Sequence, residues 1–264
     1  MTQQQHHTAP ITLYTYTMSP YAEKVHCYLL YKKLDFHCFY VNPLRVKKEL
    51  PIGKQIPVLS VGPDSKADST PIGLWLDELF PDKPLLLPTD ESRRQKLLDI
   101  DNWVSHRLIP SNFRLFPGTG ITLRRALNGW RLGQVLHKTS HGGMPKILQA
   151  SWPLILSQLG FLKHAVAMAD PDIPVQEARV KIYQEFLSKL EGGPFLGGEN
   201  SPTMPDLGAY PQFVAPFEAG LRGAEDILNY PEIMAWIHRM QPYLSGTPAL
   251  IPPIALKYQM PTHV

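Results

Sequence analysis

The feature that most constrains the fold is a strand that runs directly into a capped helix near the start of the chain. Residues Ile11 to Tyr16 show the two-residue alternation of a strand and are rich in β-forming side chains. Ser19 and Pro20 follow, and these residue types are preferred at the N-cap and at the first helical position. A helix is therefore predicted from Pro20 to Lys33 and a second strand from Phe36 to Val41. This order predicts a right-handed βαβ unit with two parallel strands.

After this unit the pattern changes from mixed to helical. A strand is predicted from Ile56 to Val61, and a helix is predicted to begin near Asp68. Residues Phe80 to Pro84 have the prolines of a linker. The chain is therefore predicted to form an α/β domain over residues 1–85 and an all-helical domain over residues 90–264. Further helices are predicted at 91–106, 153–168, 175–190 and 231–240, with a basic helix inside the less regular stretch 116–145.

Composition excludes several classes of protein. The chain has 264 residues, 44% hydrophobic and 19% charged, which fits a globular protein rather than a disordered one. A net charge of +3 does not call for nucleic acid as a partner. No apolar run is long enough for a membrane span, and the polar N-terminus does not read as a secretory signal. The two cysteines, Cys27 and Cys38, form no zinc spacing, and no HExxH is present, so no metal is expected. A cytoplasmic protein is predicted.

Ser19 has a pattern that suits thiol chemistry. The start of a helix carries free N–H groups and a partial positive charge, which stabilise an anion such as a thiolate. A thiol is mostly protonated near neutral pH, and a hydroxyl that donates to the sulfur favours the ionised form. The alternative is that Ser19 only caps the helix.

Two further residue pairs, Ile56-Pro57 and Asp68-Ser69, follow along the chain, and each is an ordinary pattern by itself. Pro57 has no N–H for the sheet, and a cis Ile56-Pro57 bond turns the backbone of Ile56 toward a ligand. At a helix start, the Ser69 hydroxyl suits a carboxylate and the Asp68 carboxylate suits an ammonium group. Asp68 and Ser69 together fit the amino-acid end of a γ-glutamyl peptide. The alternative interpretation of Asp68-Ser69 is a helix cap.

The order of these motifs resembles the glutathione transferase superfamily. Ser19 to Val25 is similar to the helix start of its serine-type members, and Gln55 to Leu59 is similar to its cis-proline strand. Asp68-Ser69 occupies the place of its acidic-Ser pair. Phe195 to Gly198, followed by Thr203 to Asp206, resembles the start of a central helix in its C-terminal domain.

This resemblance covers most of the chain and is weakest between Arg114 and Pro174. It implies a thioredoxin-like N-terminal domain and an all-α C-terminal domain that holds an electrophile pocket. It also implies glutathione as co-substrate, a small-molecule electrophile as partner, and a homodimer. The implied roles are Ser19 nearest the glutathione sulfur, Tyr16 with its hydroxyl toward the thiol or simply packed in the strand, Ile56 and Pro57 at the cysteinyl part, Asp68 and Ser69 at the γ-glutamyl end, and Gln55 or Lys54 at the glycyl carboxylate.

A closer similarity is to the members of the superfamily that are like membrane-associated prostaglandin E synthase type 2. Leu13 to Val25 and Val41 to Arg45 carry it. Those proteins have Cys-x-x-Cys where this chain has Ser19 and Ala22, so dithiol exchange through this motif is excluded. An isomerase-like role on a lipid peroxide therefore ranks below conjugation of glutathione to electrophiles. A non-catalytic glutathione-binding or interaction module with the same fold is the alternative function.

Polar side chains of the helical domain have two interpretations. They either line the electrophile pocket and bind an acidic group, or they form a solvated basic face. The residues concerned are Trp103, Arg107, Asn112 and Arg114 for the pocket, and Arg124, Arg125 and Arg131 for the acidic group.

Overall fold

The computed structural model describes residues 9–118, 122–244 and 250–262. The predicted polar tail over residues 1–8 lies outside them. The N-terminal part contains four strands and three helices. In chain order these are β1 (Ile11–Thr15), α1 (Pro20–Tyr31), β2 (His37–Tyr40), α2 (Val46–Glu49), β3 (Val58–Val61), β4 (Asp64–Ala67) and α3 (Ser69–Leu79).

The four strands form one mixed sheet in the order β2-β1-β3-β4. β1 pairs in parallel with β2, with Leu13 opposite Cys38, which confirms the predicted βαβ unit. β3 runs antiparallel to β1, with Leu13 opposite Leu59, and β4 is antiparallel to β3. One face of the sheet packs with α1 and α3 in the main core, and the other face holds a small cluster around Val41 and Val58.

Only helical elements were found beyond α3 in the described residues. They are α4 (Glu91–Trp103), a π-helical turn (Val104–Leu108), α5 (Ile109–Leu115), α6 (Leu123–Thr139), α7 (Lys146–Gln158), α8 (Gly160–Ala167), α9 (Val175–Ser188), α10 (Met204–Glu218) and α11 (Pro231–Met240), with short 3-10 turns after α9, α10 and α11. The predicted α/β part followed by an all-α part is confirmed. The boundary between 85 and 90 stays a prediction, because one apolar cluster runs through both parts.

Helix α10 is the central helix of the second part, and all of its residues are buried. It begins with a capping box, in which the Asp206 carboxylate accepts from the Thr203 N–H at 3.1 Å. The same carboxylate accepts from the indole of Trp236 on α11 at 3.1 Å. Helix α1 packs along α10, so the start of α1 lies between the two parts of the molecule.

The α6–α7 pair differs from the sequence prediction. Pro153 was expected to open a helix, but it lies inside α7, which begins at Lys146. Its ring packs against Gly129 of α6, where a Cβ atom would come within 2.8 Å of the Pro153 Cα. Gly133 likewise has no room for a side chain beside Gln149 and Trp152. The two helices therefore approach closely along a seam of glycines, which a local pattern does not reveal.

Candidate functional site

The turn between β1 and α1 presents Ser19 at the start of the helix. The Ser19 N–H donates to the Tyr16 carbonyl at 3.0 Å, which closes a tight turn. Met18, inside this turn, has φ 71°, a left-handed conformation that is rare for residues other than glycine. The Ser19 hydroxyl accepts from the Ala22 N–H at 3.4 Å, and the side chain is half-buried. Ser19 is thus the N-cap and also a partly accessible hydroxyl at the positive end of α1.

Tyr16 packs on the sheet face opposite α1. It belongs to the small apolar cluster that includes Val41, Val58 and Ile56. Burial, and to a lesser extent the Glu49 carboxylate, raises the pKa of Tyr16 to about 12. The phenol is therefore neutral at physiological pH and available as a hydrogen-bond donor. The ring of Tyr16 packs in the apolar cluster, as the alternative interpretation predicts. Its role toward a thiol stays a prediction.

The Ile56-Pro57 peptide bond is cis. Pro57 is buried and Ile56 is half-buried beside the cluster that contains Tyr16. The preceding residues Lys54 and Gln55 are both exposed, and the choice between them for the glycyl carboxylate stays open.

Asp68 and Ser69 lie at the start of α3, next to Pro57. The Asp68 N–H donates to the Pro57 carbonyl at 3.3 Å. Asp68 occupies the N-cap position of α3, as the alternative interpretation predicts, but it is exposed, has φ 73°, and its carboxylate makes no capping hydrogen bond. Ser69 is buried. Burial, followed by the charge of Asp68, raises the pKa of Tyr21, so Asp68 lies near the first turn of α1.

These contacts bring the predicted residues together. Ser19 is bonded to Tyr16, Tyr16 shares a cluster with Ile56, and Pro57 is bonded to Asp68. The three other predicted positions, Lys54, Gln55 and Ser69, lie within two residues of these contacts along the chain. The roles assigned to the individual side chains stay predictions.

A buried ionic network behind the site was not found from the sequence. Lys24 and Asp101 are both fully buried and form an ion pair at 2.8 Å. Lys24 also donates to the Ser105 hydroxyl at 2.8 Å, and Asp101 accepts from the Thr70 hydroxyl at 2.6 Å. The network joins α1, α3 and α4. The basic residue of the Ser19 to Val25 motif is its sequence signal, but Asp101 is 77 positions away and carries none.

A second feature missed by the sequence is the turn that follows α6. The Thr17 hydroxyl donates to the Thr139 hydroxyl at 2.8 Å. The Asn42 amide donates to the carbonyls of His141 and Gly143 at 3.0 and 2.8 Å. This turn of the helical part therefore lies against the carboxyl ends of β1 and β2, at the border of the site.

An apolar pocket lies on the other side of the β1–α1 turn. Its volume is about 70 Å³, and Met18 and Pro20, the neighbours of Ser19, line its mouth. Side chains of α5, α6 and α10 form its walls, including Phe113, Leu132 and Pro211. The pocket thus opens beside the predicted position of the thiol.

Most of the residues expected to line an electrophile pocket do not do so. Arg107 and Trp103 bond to the Glu185 carboxylate of α9, and Arg114 donates to the Ala169 carbonyl at 2.9 Å. These three side chains hold α9 and its preceding loop against the π-helical turn and α5. Asn112, the fourth, does line the pocket.

The arginines of α6 are not a solvated face. Arg124 donates to the carbonyls of Leu115 and Arg222 at 3.0 and 3.1 Å. Arg131 donates to the carbonyls of Ala219 and Ala255 at 2.7 and 2.6 Å. Two of these acceptors, Leu115 at the end of α5 and Ala219 after α10, lie at helix C-termini, where a cation is favoured. The solvated-face interpretation is wrong for these two side chains.

Neither cysteine has the properties of a reactive thiol. Cys27 is buried in the core, and burial raises its pKa well above the usual value. Burial is also the main reason that the pKa of Cys38 is raised to about 12. Within residues 9–118, 122–244 and 250–262, no group of three His, Cys, Asp or Glu side chains is arranged to hold a metal ion. None of the helices described there has the length and apolar character that a bilayer span requires.

Comparison with known proteins agrees with this geometry. Residues 13–84 match the family model of the glutathione S-transferase N-terminal domain. No curated protein matches the sequence. Among solved structures, the chain is similar to human glutathione transferase theta-2 in complex with glutathione and an unknown ligand, with 18% identity over 89% of this chain and 83% of that one and a TM-score of 0.58.

Two further structures have similar values. A glutathione S-transferase from Rhodospirillum rubrum F11 is 20% identical over 92% of this chain and 96% of its own, with a TM-score of 0.55. A rice GST in complex with glutathione is 17% identical over 89% of both chains, with a TM-score of 0.53. At these identities the likeness establishes the fold. The chain therefore has the glutathione transferase fold, a thioredoxin-like domain followed by an all-α domain, and its N-terminal part matches the glutathione S-transferase N-terminal domain.

Proposed function

We propose that the chain is a glutathione transferase that activates the glutathione thiol at Ser19 for attack on a small electrophile. The observation that carries this is the half-buried Ser19 hydroxyl at the positive end of α1, next to Tyr16, which shares an apolar cluster with Ile56 of the cis Ile56-Pro57 bond. The sulfur would lie at the helix start and accept from Ser19, with Tyr16 as a second neutral donor. The serine-type mechanism and the similarity to the prostaglandin synthase-like members are part of this proposal.

The remaining residues are proposed to hold the peptide. The exposed Asp68 carboxylate, which caps nothing, is available for the γ-glutamyl ammonium group, with Ser69 at the carboxylate beside it. The backbone of Ile56, before cis Pro57, would pair with the cysteinyl part. Gln55 or Lys54, both exposed, would bind the glycyl carboxylate. A side chain that already has an internal partner would be a poorer candidate for these roles.

The test is glutathione conjugation with a panel of electrophiles, comparing the wild type with Ser19→Ala. A hydrogen bond to a charged group contributes about 1.5–3 kcal/mol, so kcat/KM should fall roughly 10- to 150-fold in this variant. Because Ser19 also caps α1, Asp90→Ala is the matched control. Asp90 caps α4 by accepting from the Arg93 N–H at 2.8 Å, far along the chain from the cleft.

Loss of a cap alone would lower the activity of both variants equally. Thiolate absorbance of bound glutathione, followed against pH, gives a second readout, since Ser19→Ala should raise the pKa of the bound thiol. Conjugation that is unchanged in Ser19→Ala would refute the role of Ser19. Binding of glutathione with no conjugation across the panel would refute the transferase.

We also propose a cytoplasmic homodimer. The two cysteines are free, which fits a reducing compartment. Light scattering of the purified chain measures the mass directly, and a monomeric mass would refute the dimer.

A further inference from the structure

The pocket beside Ser19 contains one charged side chain, Glu23. Glu23 lies one helical turn beyond Ser19, and its N–H donates to the Ser19 carbonyl at 2.9 Å. Among the described residues that line the pocket there is no lysine or arginine, and its other walls are mostly apolar side chains such as Phe113, Phe116 and Leu132.

The two amide side chains that line the pocket use most of their donors on backbone carbonyls. The Gln212 amide nitrogen donates to the carbonyls of Pro20 and Gly208 at 3.1 and 3.0 Å. The Asn112 amide nitrogen donates one of its two N–H groups to the Gln212 carbonyl at 2.7 Å. Three of the four amide N–H groups are thus bound to backbone, and the charged group that the pocket offers a guest is an acceptor, the Glu23 carboxylate.

The charge of Glu23 dominates this part of the interior. Its side chain is 6% exposed, and its one ion-pair contact is with the His26 ring at 3.3 Å. After burial, Glu23 is the next cause that raises the pKa of Cys38 to about 12. It also contributes to the raised pKa of Glu218, about 7. A carboxylate in a pocket with low-dielectric walls focuses a negative potential on whatever enters.

We propose that this pocket binds the head group of the electrophile and selects compact head groups that donate hydrogen bonds or carry a positive charge, against carboxylates. The inference rests on the proposed function, because it assigns the second substrate of the same site. A cavity of about 150 Å³ lined by apolar residues holds a benzene ring. The pocket here has about 70 Å³, which favours a short hydroxyl- or ammonium-bearing chain over an aromatic ring.

Small epoxides satisfy these requirements. The glutathione sulfur forms a bond to the terminal ring carbon, the bond from that carbon to the ring oxygen breaks, and the oxygen takes a proton from water. The product is a thioether with a neighbouring hydroxyl, and no oxidant or reductant is needed.

The test compares glycidol with glycidate, which share one epoxide and differ in a hydroxyl or a carboxylate head. We expect the wild type to favour glycidol beyond the ratio of the uncatalysed reactions. Glu23→Gln should reduce this preference about tenfold or more, because it removes a like-charge repulsion without changing the shape of the pocket. Glu177→Gln, on the exposed surface of α9, is the matched control and should keep the preference.

A second variant tests the pocket if Glu23→Gln does not fold. Leu132→Lys adds a cation to the pocket wall and should shift the preference toward glycidate. The assignment of the pocket would be overturned if the wild type is active and Glu23→Gln and Leu132→Lys both keep its preference for glycidol over glycidate.

Failure of the proposed function has a different signature, namely no conjugation of any electrophile by the wild type. The pocket is then tested by NMR line broadening of isobutylamine and isobutyrate in the presence of the protein. Binding of the amine that Glu23→Gln abolishes would support the pocket. Equal binding of the two compounds would overturn it.

Discussion

Replacing Lys24 by methionine should destabilise the fold severely, although Lys24 lies in the first turns of α1, close in sequence to the loop that precedes the helix. Its ammonium group is fully buried and forms an ion pair with Asp101 at 2.8 Å. The Ser105 hydroxyl accepts from the same ammonium group, also at 2.8 Å. Methionine fills a similar volume, so the change removes the charge and the two contacts and creates little cavity.

The magnitude follows from what is left behind. Asp101 would stay buried with only the hydroxyls of Thr70 and Tyr28, at 2.6 and 3.5 Å, to stabilise its charge. Removing one partner of a buried pair typically costs about 3–5 kcal/mol, because the other charge is then uncompensated. That is a large share of the roughly 5–15 kcal/mol by which most proteins are stable. Lys24→Met combined with Asp101→Leu should recover part of the loss, since no charge remains to be neutralised.

Urea unfolding followed by circular dichroism and by tryptophan fluorescence measures these changes. Lys96→Met is the control, because Lys96 pairs with Glu191 at 2.6 Å with both side chains 46% exposed, and an exposed pair contributes about 0–1 kcal/mol. A loss below about 1 kcal/mol in Lys24→Met, equal to that in Lys96→Met, would refute the argument that burial makes the pair indispensable.

Two further predictions concern the C-terminal segment. Burial and the nearby Glu23 raise the pKa of Glu218, which accepts from the Leu250 N–H at 2.8 Å, to about 7. Because the folded state raises the pKa of Glu218, this residue stabilises the fold at pH values below the ordinary pKa of a glutamate, and the contribution is lost as the pH rises through about 7. Between about pH 5 and 8 the wild type should therefore lose at most about 3 kcal/mol of stability that Glu218→Gln keeps. The melting temperature of the variant should rise relative to that of the wild type over this pH range. Arg131→Met removes the bond to the Ala255 carbonyl at 2.6 Å, and limited proteolysis should then cut the segment after residue 250 faster than in the wild type.

Local signals explain which parts of the fold the sequence predicts. The Ser19-Pro20 start of α1, the strand after Pro57 and the helix after Asp68 are all specified by neighbouring residues, and all three were found as predicted. Pro153 shows the limit of such signals. A proline at the first turn and a proline inside a helix are the same residue in a sequence, and the difference depends on Gly129, which lies on another helix.

The site divides in the same way. Ser19 and Asp68 lie at helix starts, which local patterns predict, and the cis Ile56-Pro57 bond was expected from the family resemblance. The roles of these residues toward glutathione stay predictions. The pair formed by Lys24 and Asp101, and the bonds from Arg131 to backbone carbonyls, join positions that are far apart in the chain. Every residue carries a backbone carbonyl, so the sequence does not show which carbonyl accepts from a given arginine. The arginines of α6 are therefore predicted to be solvated.

Helix α1 links the chemistry of the cleft to the stability of the fold. Glu23 and Lys24 are neighbours in the chain, and successive residues of a helix point about 100° apart. One therefore faces the pocket beside Ser19, while the other reaches Asp101 on α4. Rotation of α1 that moved Ser19 away from the pocket would separate the buried charges of Lys24 and Asp101. In the proposed site, the ion pair between Lys24 and Asp101 would therefore set the angle at which α1 presents Ser19 and Glu23, in addition to joining α1 to α4.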